Sequence, residues 1–168
     1  MVKIPHFAFR CKYNTIVREL ATEVIIQHIA TKQELKVKAI WDTGATNSVI
    51  TSKVFNFLQL PAIDEVTVSG VSSINHKAIL TIANLLLPNK VAVPSVRFTV
   101  DEIGNTDVLI GMDIISKGDF AVSNGNGHTE FSFAIPAFEN STDLLEKAKK
   151  VNERNKKHFP PQFLTKSK

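Results

Sequence analysis

The chain has 168 residues, 43% of them apolar and 21% charged, which suits one globular domain with an appendage and is too short for a two-domain machine. Its net charge of +4 is uneven: residues 1–146 carry 12 Lys and Arg against 15 Asp and Glu, a net −3, whereas residues 147–168 carry 8 against 1, a net +7. A mildly acidic body argues against a nucleic-acid-binding core and leaves only the basic tail, 147–168, available to an anionic partner.

Taken in chain order, residues 1–17 read as an N-terminal extension. Their lone cysteine, Cys11, can form no internal disulfide, and the first ten residues lack the apolar stretch of a signal peptide. With no run of about 18 apolar residues anywhere, no membrane span is expected and a cytoplasmic location is. Residues 18–138 read as a compact all-β domain, because short β-branched runs are separated by turn residues. Strands are expected at 19–28 and 35–41, then one or two helical turns at 52–58 behind Thr51 as N-cap. Runs at 66–71 and 78–87 flank a small polar stretch and look like the arms of a hairpin. Pro88-Asn89-Lys90 turns the chain into a strand at 91–100, and the apolar triplet Val108-Leu109-Ile110 reads as a buried strand. Residues 111–115 suit a short helix. Runs at 120–123 and 129–135 bracket Asn124-Gly125-Asn126-Gly127, a hairpin signal because Asn and Gly tolerate positive φ. After Pro136, Ser141-Thr142-Asp143 offers an N-cap for a helix at about 144–156. Residues 139–168 therefore read as a basic C-terminal helix followed by a disordered tail.

The chemistry is concentrated at Trp41-Asp42-Thr43-Gly44-Ala45-Thr46. An aspartate leaving an apolar strand is costly to desolvate unless its lone pairs find donors. Gly44 lets the backbone pass close with its amide turned inward, and the Thr43 hydroxyl can bond to the backbone of a neighbouring loop. Taken alone, the tripeptide is equally a common surface turn. A second element, Asp107-Val108-Leu109-Ile110-Gly111-Met112-Asp113, is an apolar triplet that ends in glycine and opens a helix. Five histidines without a His-x-x-x-His pair, and no Cys-x-x-Cys pair, suggest no metal site.

On these two elements the sequence resembles the retropepsins, the aspartic proteases of retroviruses and retroelements with single-lobed cellular and bacterial homologues. The resemblance runs from about residue 19 to 135 and includes Val49-Ile50, a glycine-bearing hairpin at Val68-Ser69-Gly70-Val71-Ser72-Ser73, and Ile114-Ile115. It implies an acid-protease fold: a closed β-barrel lobe with short helices and, here, a C-terminal helical extension. It further implies that Asp42 is the catalytic carboxylate, Thr43 grips the partner loop, Gly44 lines the substrate channel and Ala45 supports the loop. Gly70, Val71, Ser72 and Ser73 would form the flap over the substrate. Leu109, Ile110 and Gly111 would thread beside the active-site loop, and Asp113 would cap the helix that follows; a catalytic role for Asp113 is the alternative.

Such chemistry needs two carboxylates within about 3 Å, one protonated and one ionised, so a chain with one Asp-Thr-Gly is expected to work as a homodimer on a polypeptide substrate, without a cofactor. Ala45 cannot donate the hydroxyl hydrogen bond that a serine there would, so activity is expected at milder pH than in a Ser-bearing relative; an unmoved pH–rate profile in Ala45→Ser would contradict this. Thr46 and Met112 stand where many viral members carry an acidic residue and an arginine, a joint loss of both ion-pair partners. Ser72-Ser73 replace a more glycine-rich pair. The alternative function is a peptide-binding or scaffold domain that keeps the fold without the chemistry.

Overall fold

A computed structural model describes residues 4–68, 76–140 and 142–158. The chain divides into a body, residues 1–138, and a C-terminal unit, residues 139–168.

The described residues of the body form ten strands. β1 is Phe7–Lys12, β2 Leu20–Gln27, β3 Glu34–Trp41, β4 Val49–Ile50, β5 Ala62–Val68, β6 His76–Leu86, β7 Ala92–Val100, β8 Val108–Ile110, β9 Asp119–Ser123 and β10 Glu130–Ile135. The larger sheet runs β2-β3-β8-β4-β7-β6-β5, and β2 also pairs with β6, so six strands close into a barrel with β5 on its flank. Closure pairs β2 with β6 and leaves β5 as the edge strand on the flank. Period-two patterning aims each strand's alternate residues inward: Thr22, Val24 and Ile26 on β2, Val37, Ala39 and Trp41 on β3. Ile26, Ile50, Phe98 and Ile110 are fully buried, each contributing about 1.5–3 kcal/mol of apolar burial.

The smaller sheet, β1-β10-β9, is antiparallel throughout. Phe9, Phe131 and Phe133 of this sheet meet Trp41 of the barrel, and Phe120 stacks on the Trp41 indole with centroids 5.6 Å apart. The indole N–H donates to Thr22 Oγ1 at 3.0 Å, which satisfies the one polar atom this aromatic cluster buries. Tyr13 ties the start of β2 down, its hydroxyl accepting from Ala21 N and donating to Ala21 O, each at 2.7 Å. Burial pushes the pKa of Tyr13 and of Cys11 above its ordinary value, so both stay protonated in the packed state.

Two short helices serve the barrel, α1 (Ser52–Phe57) and α2 (Met112–Ile115). Thr51 is the N-cap of α1, but its side chain makes no capping bond, and its Oγ1 is buried without a partner among the described residues. In the C-terminal unit α3 spans Leu144–Asn155, with the Asp143 carboxylate accepting from the amides of Leu145 and Glu146. No described helix is long and apolar enough to cross a membrane.

Candidate active site

The barrel delivers Asp42 to a defined place. β3 runs parallel to β8 with Trp41 opposite Ile110, and Asp42 N donates to Ile110 O at 2.9 Å. The chain then loops over the end of β8 and returns along its other side as β4, where Val49 faces Leu109. β8 is thus threaded between the strand that enters the loop and the strand that leaves it. Its apolar sequence follows from that position: Val108 and Ile110 are buried in the core, while Leu109 is half-buried on the opposite face.

Four hydrogen bonds lock the loop to the turn after β8. Met112 N donates to Ala45 O at 2.8 Å and Asp113 N to Thr46 O at 3.1 Å. Gly111 N donates to Ser48 Oγ at 3.1 Å, and that hydroxyl in turn donates to Asp113 Oδ1 at 2.7 Å. The approach is so close that a side chain at 111 has no room: its Cβ would lie 2.7 Å from both the carbonyl carbon and oxygen of Asn47. Ser48 is the residue the sequence reading missed. Fully buried ahead of Val49-Ile50, it needs polar partners, and these lie more than 60 residues away, so no local signal marks it.

At the loop's crown, Gly44 N–H donates to Asp42 Oδ1 at 2.8 Å, and a Cβ on Gly44 would sit 3.1 Å from the same oxygen. Asp42 is half-buried, and Thr43 and Gly44 are exposed beside it. The arrangement presents a carboxylate held by one backbone donor, with the rest of its acceptor capacity turned outward. Asp113 departs from expectation. Gly111 is the N-cap of α2 and Asp113 stands inside the first turn, with no side-chain capping bond; its carboxylate instead accepts from Ser48. The serine hydroxyl, already buried beside the helix start, supplies a donor that the helix amides do not. Gly70, Val71, Ser72 and Ser73 lie outside the described residues; the arms leading to them, β5 and β6, pair as far as Val68 opposite His76.

A family model described as "gag-polyprotein putative aspartyl protease" matches residues 29–117, more than half of the chain. The chain belongs to this aspartyl protease family. Both Asp42-Thr43-Gly44 and Leu109-Ile110-Gly111 fall inside the matched span. Among solved structures, a retropepsin-like aspartic protease from Rickettsia conorii aligns with 80% of this chain and 99% of its own at 13% identity and a TM-score of 0.52. That likeness establishes the retropepsin-like fold. EIAV protease in complex with the inhibitor HBY-793 is 23% identical over 62% of this chain and 90% of its own, with a TM-score of 0.44. The retroviral protease-like domain of Ddi1 from Leishmania major is 18% identical over 68% and 94%, with a TM-score of 0.44. No curated protein matches the sequence.

Proposed function

We propose that this aspartyl protease family member is an active endopeptidase, working in the cytoplasm as a homodimer in which Asp42 from each subunit forms the catalytic dyad. The observation that carries this reading is the Asp42 carboxylate itself, fixed by Gly44 N–H at 2.8 Å on a loop bonded at four points to the β8–α2 turn, yet half-exposed. Rigid support beneath an open carboxylate is what a preorganised catalytic group requires.

In this mechanism the two carboxylates share one proton, since like charges so close do not both ionise. The protonated acid polarises the scissile carbonyl and the ionised one takes a proton from water, which attacks the carbonyl carbon; proton transfer to the departing amine then releases both fragments. The pair titrates as a unit, so its pH–rate profile reports apparent constants of the dyad. Thr43, exposed beside Asp42, is assigned to bonding the partner loop, Gly44 to the channel wall and Ala45 to support of the loop. Gly70, Val71, Ser72 and Ser73 are assigned to the flap that closes over an extended polypeptide substrate. Residues 18–138 are the catalytic part, with 1–17 as an N-terminal extension; the basic tail, 147–168, is assigned to contact with an anionic partner.

The test compares wild type with Asp42→Asn on an unbiased peptide library between acidic and neutral pH. Cleavage by wild type and a loss of at least about 1,000-fold in the variant are expected. Equal cleavage by both, or none by wild type at concentrations where it is dimeric, overturns the proposal in favour of the fold without the chemistry.

A further inference from the structure

A groove of about 820 Å³ lies beside the Asp42 loop and contains neither Asp42 nor Gly44 in its walls. Its size is within the roughly 300–1,000 Å³ typical of ligand sites. Three consecutive residues of β5, Val66, Thr67 and Val68, line it. Successive side chains of a strand point to opposite faces, so a run of three means that the strand's edge fronts the groove. β5 pairs with β6 alone among the described residues, which leaves that edge's amides and carbonyls unpaired by the barrel. Residues 92–97 of β7 line the groove as well, and β4 reaches β7 only at Thr99 and Val100, so this stretch too has one open edge. Open strand edges accept an extended polypeptide through its main chain.

Charge sets what that polypeptide must carry. Arg97 and Lys117 both line the groove, both are exposed, and neither has an ion-pair partner among the described residues. The acid that shares the wall, Asp113, has its Oδ1 engaged by Ser48. Asn47, five residues after Asp42 on the same loop, forms part of the groove's wall. Arg97 and Lys117 are both positive, so charge complementarity selects an acidic chain.

We propose that this groove is an extension of the substrate cleft in which Arg97 and Lys117 select polypeptides bearing an acidic side chain at a position flanking the scissile bond. The inference rests on the protease reading and deepens it by naming a substrate class. Arg97 and Lys117 are specificity residues here and have no part in the bond-breaking step.

The experiment uses the full chain and a set of peptides in which a single Glu is exchanged for Gln or Lys at each position flanking the cleaved bond, followed by kcat/KM and, separately, by fluorescence anisotropy. At low salt one flanking position is expected to favour Glu over Gln by about five- to tenfold in kcat/KM, an advantage lost near 0.5 M salt, where the Debye length falls to about 4–5 Å. In Arg97→Glu/Lys117→Glu the preference at that position inverts toward Lys. Since the readout is a ratio within one protein, a loss of overall activity does not obscure it. Wild type that cleaves Glu and Gln peptides equally at every position overturns the groove assignment and leaves the protease reading intact, as does a Glu preference that survives the charge reversal. Wild type that cleaves none of them but binds the Glu peptide more tightly than the Gln peptide, with inversion in the variant, overturns the protease reading and supports the groove.

Discussion

Alanine at position 111 would test whether the loop carrying Asp42 is built on the close approach of two backbones. A Cβ there would stand 2.7 Å from the carbonyl carbon and oxygen of Asn47 and 3.0 Å from Ala45 O, all main-chain atoms that cannot rotate away. Ordinary contacts lie at about 3.5–4.0 Å, so the loop must move by about 1 Å. Overpacking of this kind costs about 1–3 kcal/mol. The shift also stretches the bonds from Met112 N to Ala45 O and from Asp113 N to Thr46 O, each worth about 1 kcal/mol. The expected loss is therefore about 3–5 kcal/mol, which for a body of this size lowers Tm by about 10–17 °C. Gly44→Ala supplies the contrast. Its Cβ would meet a single atom within 4 Å, Asp42 Oδ1 at 3.1 Å, and a carboxylate can turn aside. Stability should fall by less than about 1 kcal/mol, whereas the displaced carboxylate should lower kcat by about tenfold or more. Thermal and urea unfolding of the two variants, with peptide cleavage alongside, separates support from chemistry. A Gly111→Ala protein melting within about 2 °C of wild type, or a Gly44→Ala protein as destabilised as Gly111→Ala, would refute the reasoning.

Ser48→Ala should cost about 1–3 kcal/mol, because the buried Gly111 amide and the Asp113 carboxylate lose their shared partner; a urea midpoint no different from that of the exposed-site control Ser123→Ala would contradict this. Glu130 has its carboxyl held below the ordinary range by hydrogen bonds from His128 and then Lys12, with Arg10 adding charge. A depressed folded-state value means that its contribution is complete above the usual carboxylate range and disappears as pH falls through the folded-state value, so Glu130→Gln should flatten the acid limb of stability against pH; an unchanged limb would count against it. Val122→Lys, which places a charge on an exposed apolar residue of the edge strand β9, should shift sedimentation toward monomer and lower activity in parallel if the proposed dimer pairs through this edge; an unchanged sedimentation profile would refute that placement.

Much of the barrel is legible because its strands are short, β-branched and separated by turn residues, and β8 coincides with the apolar triplet from which it was read. What escaped has a common cause, which is that the deciding partner is distant in sequence. β1 alternates Phe7, Phe9 and Cys11 with charged or small residues, but its partner, β10, lies more than 100 residues away, and no local turn announces the pairing. β4 is two residues long and exists because β8 and β7 flank it. The same holds at the site. Asp42 and Gly44 draw notice locally, since a strand-terminal carboxylate needs a donor nearby and the Gly44 amide supplies it, whereas Ser48 acquires its meaning only when the chain brings Gly111 and Asp113 against it. Thr51 occupies the N-cap position without capping, and Gly111 rather than Asp113 caps α2, because in both places tertiary packing settles which way a polar side chain turns.

That difference in fate between the two acids bears on where a second catalytic carboxylate could come from. Asp113 is drawn to the underside of the loop by Ser48 and contributes a main-chain amide to Thr46 O, so moving it toward Asp42 would dismantle the same bonds that fix Asp42. Asp42, by contrast, is met by one backbone amide and is half-exposed. A loop that spends one aspartate on its own rigidity and leaves the other open has no internal mate to offer for the proposed chemistry. In the proposed homodimer a symmetric copy would supply one without disturbing the support, because a two-fold axis passing beside one Asp42 would bring up the other, already oriented by an identical loop.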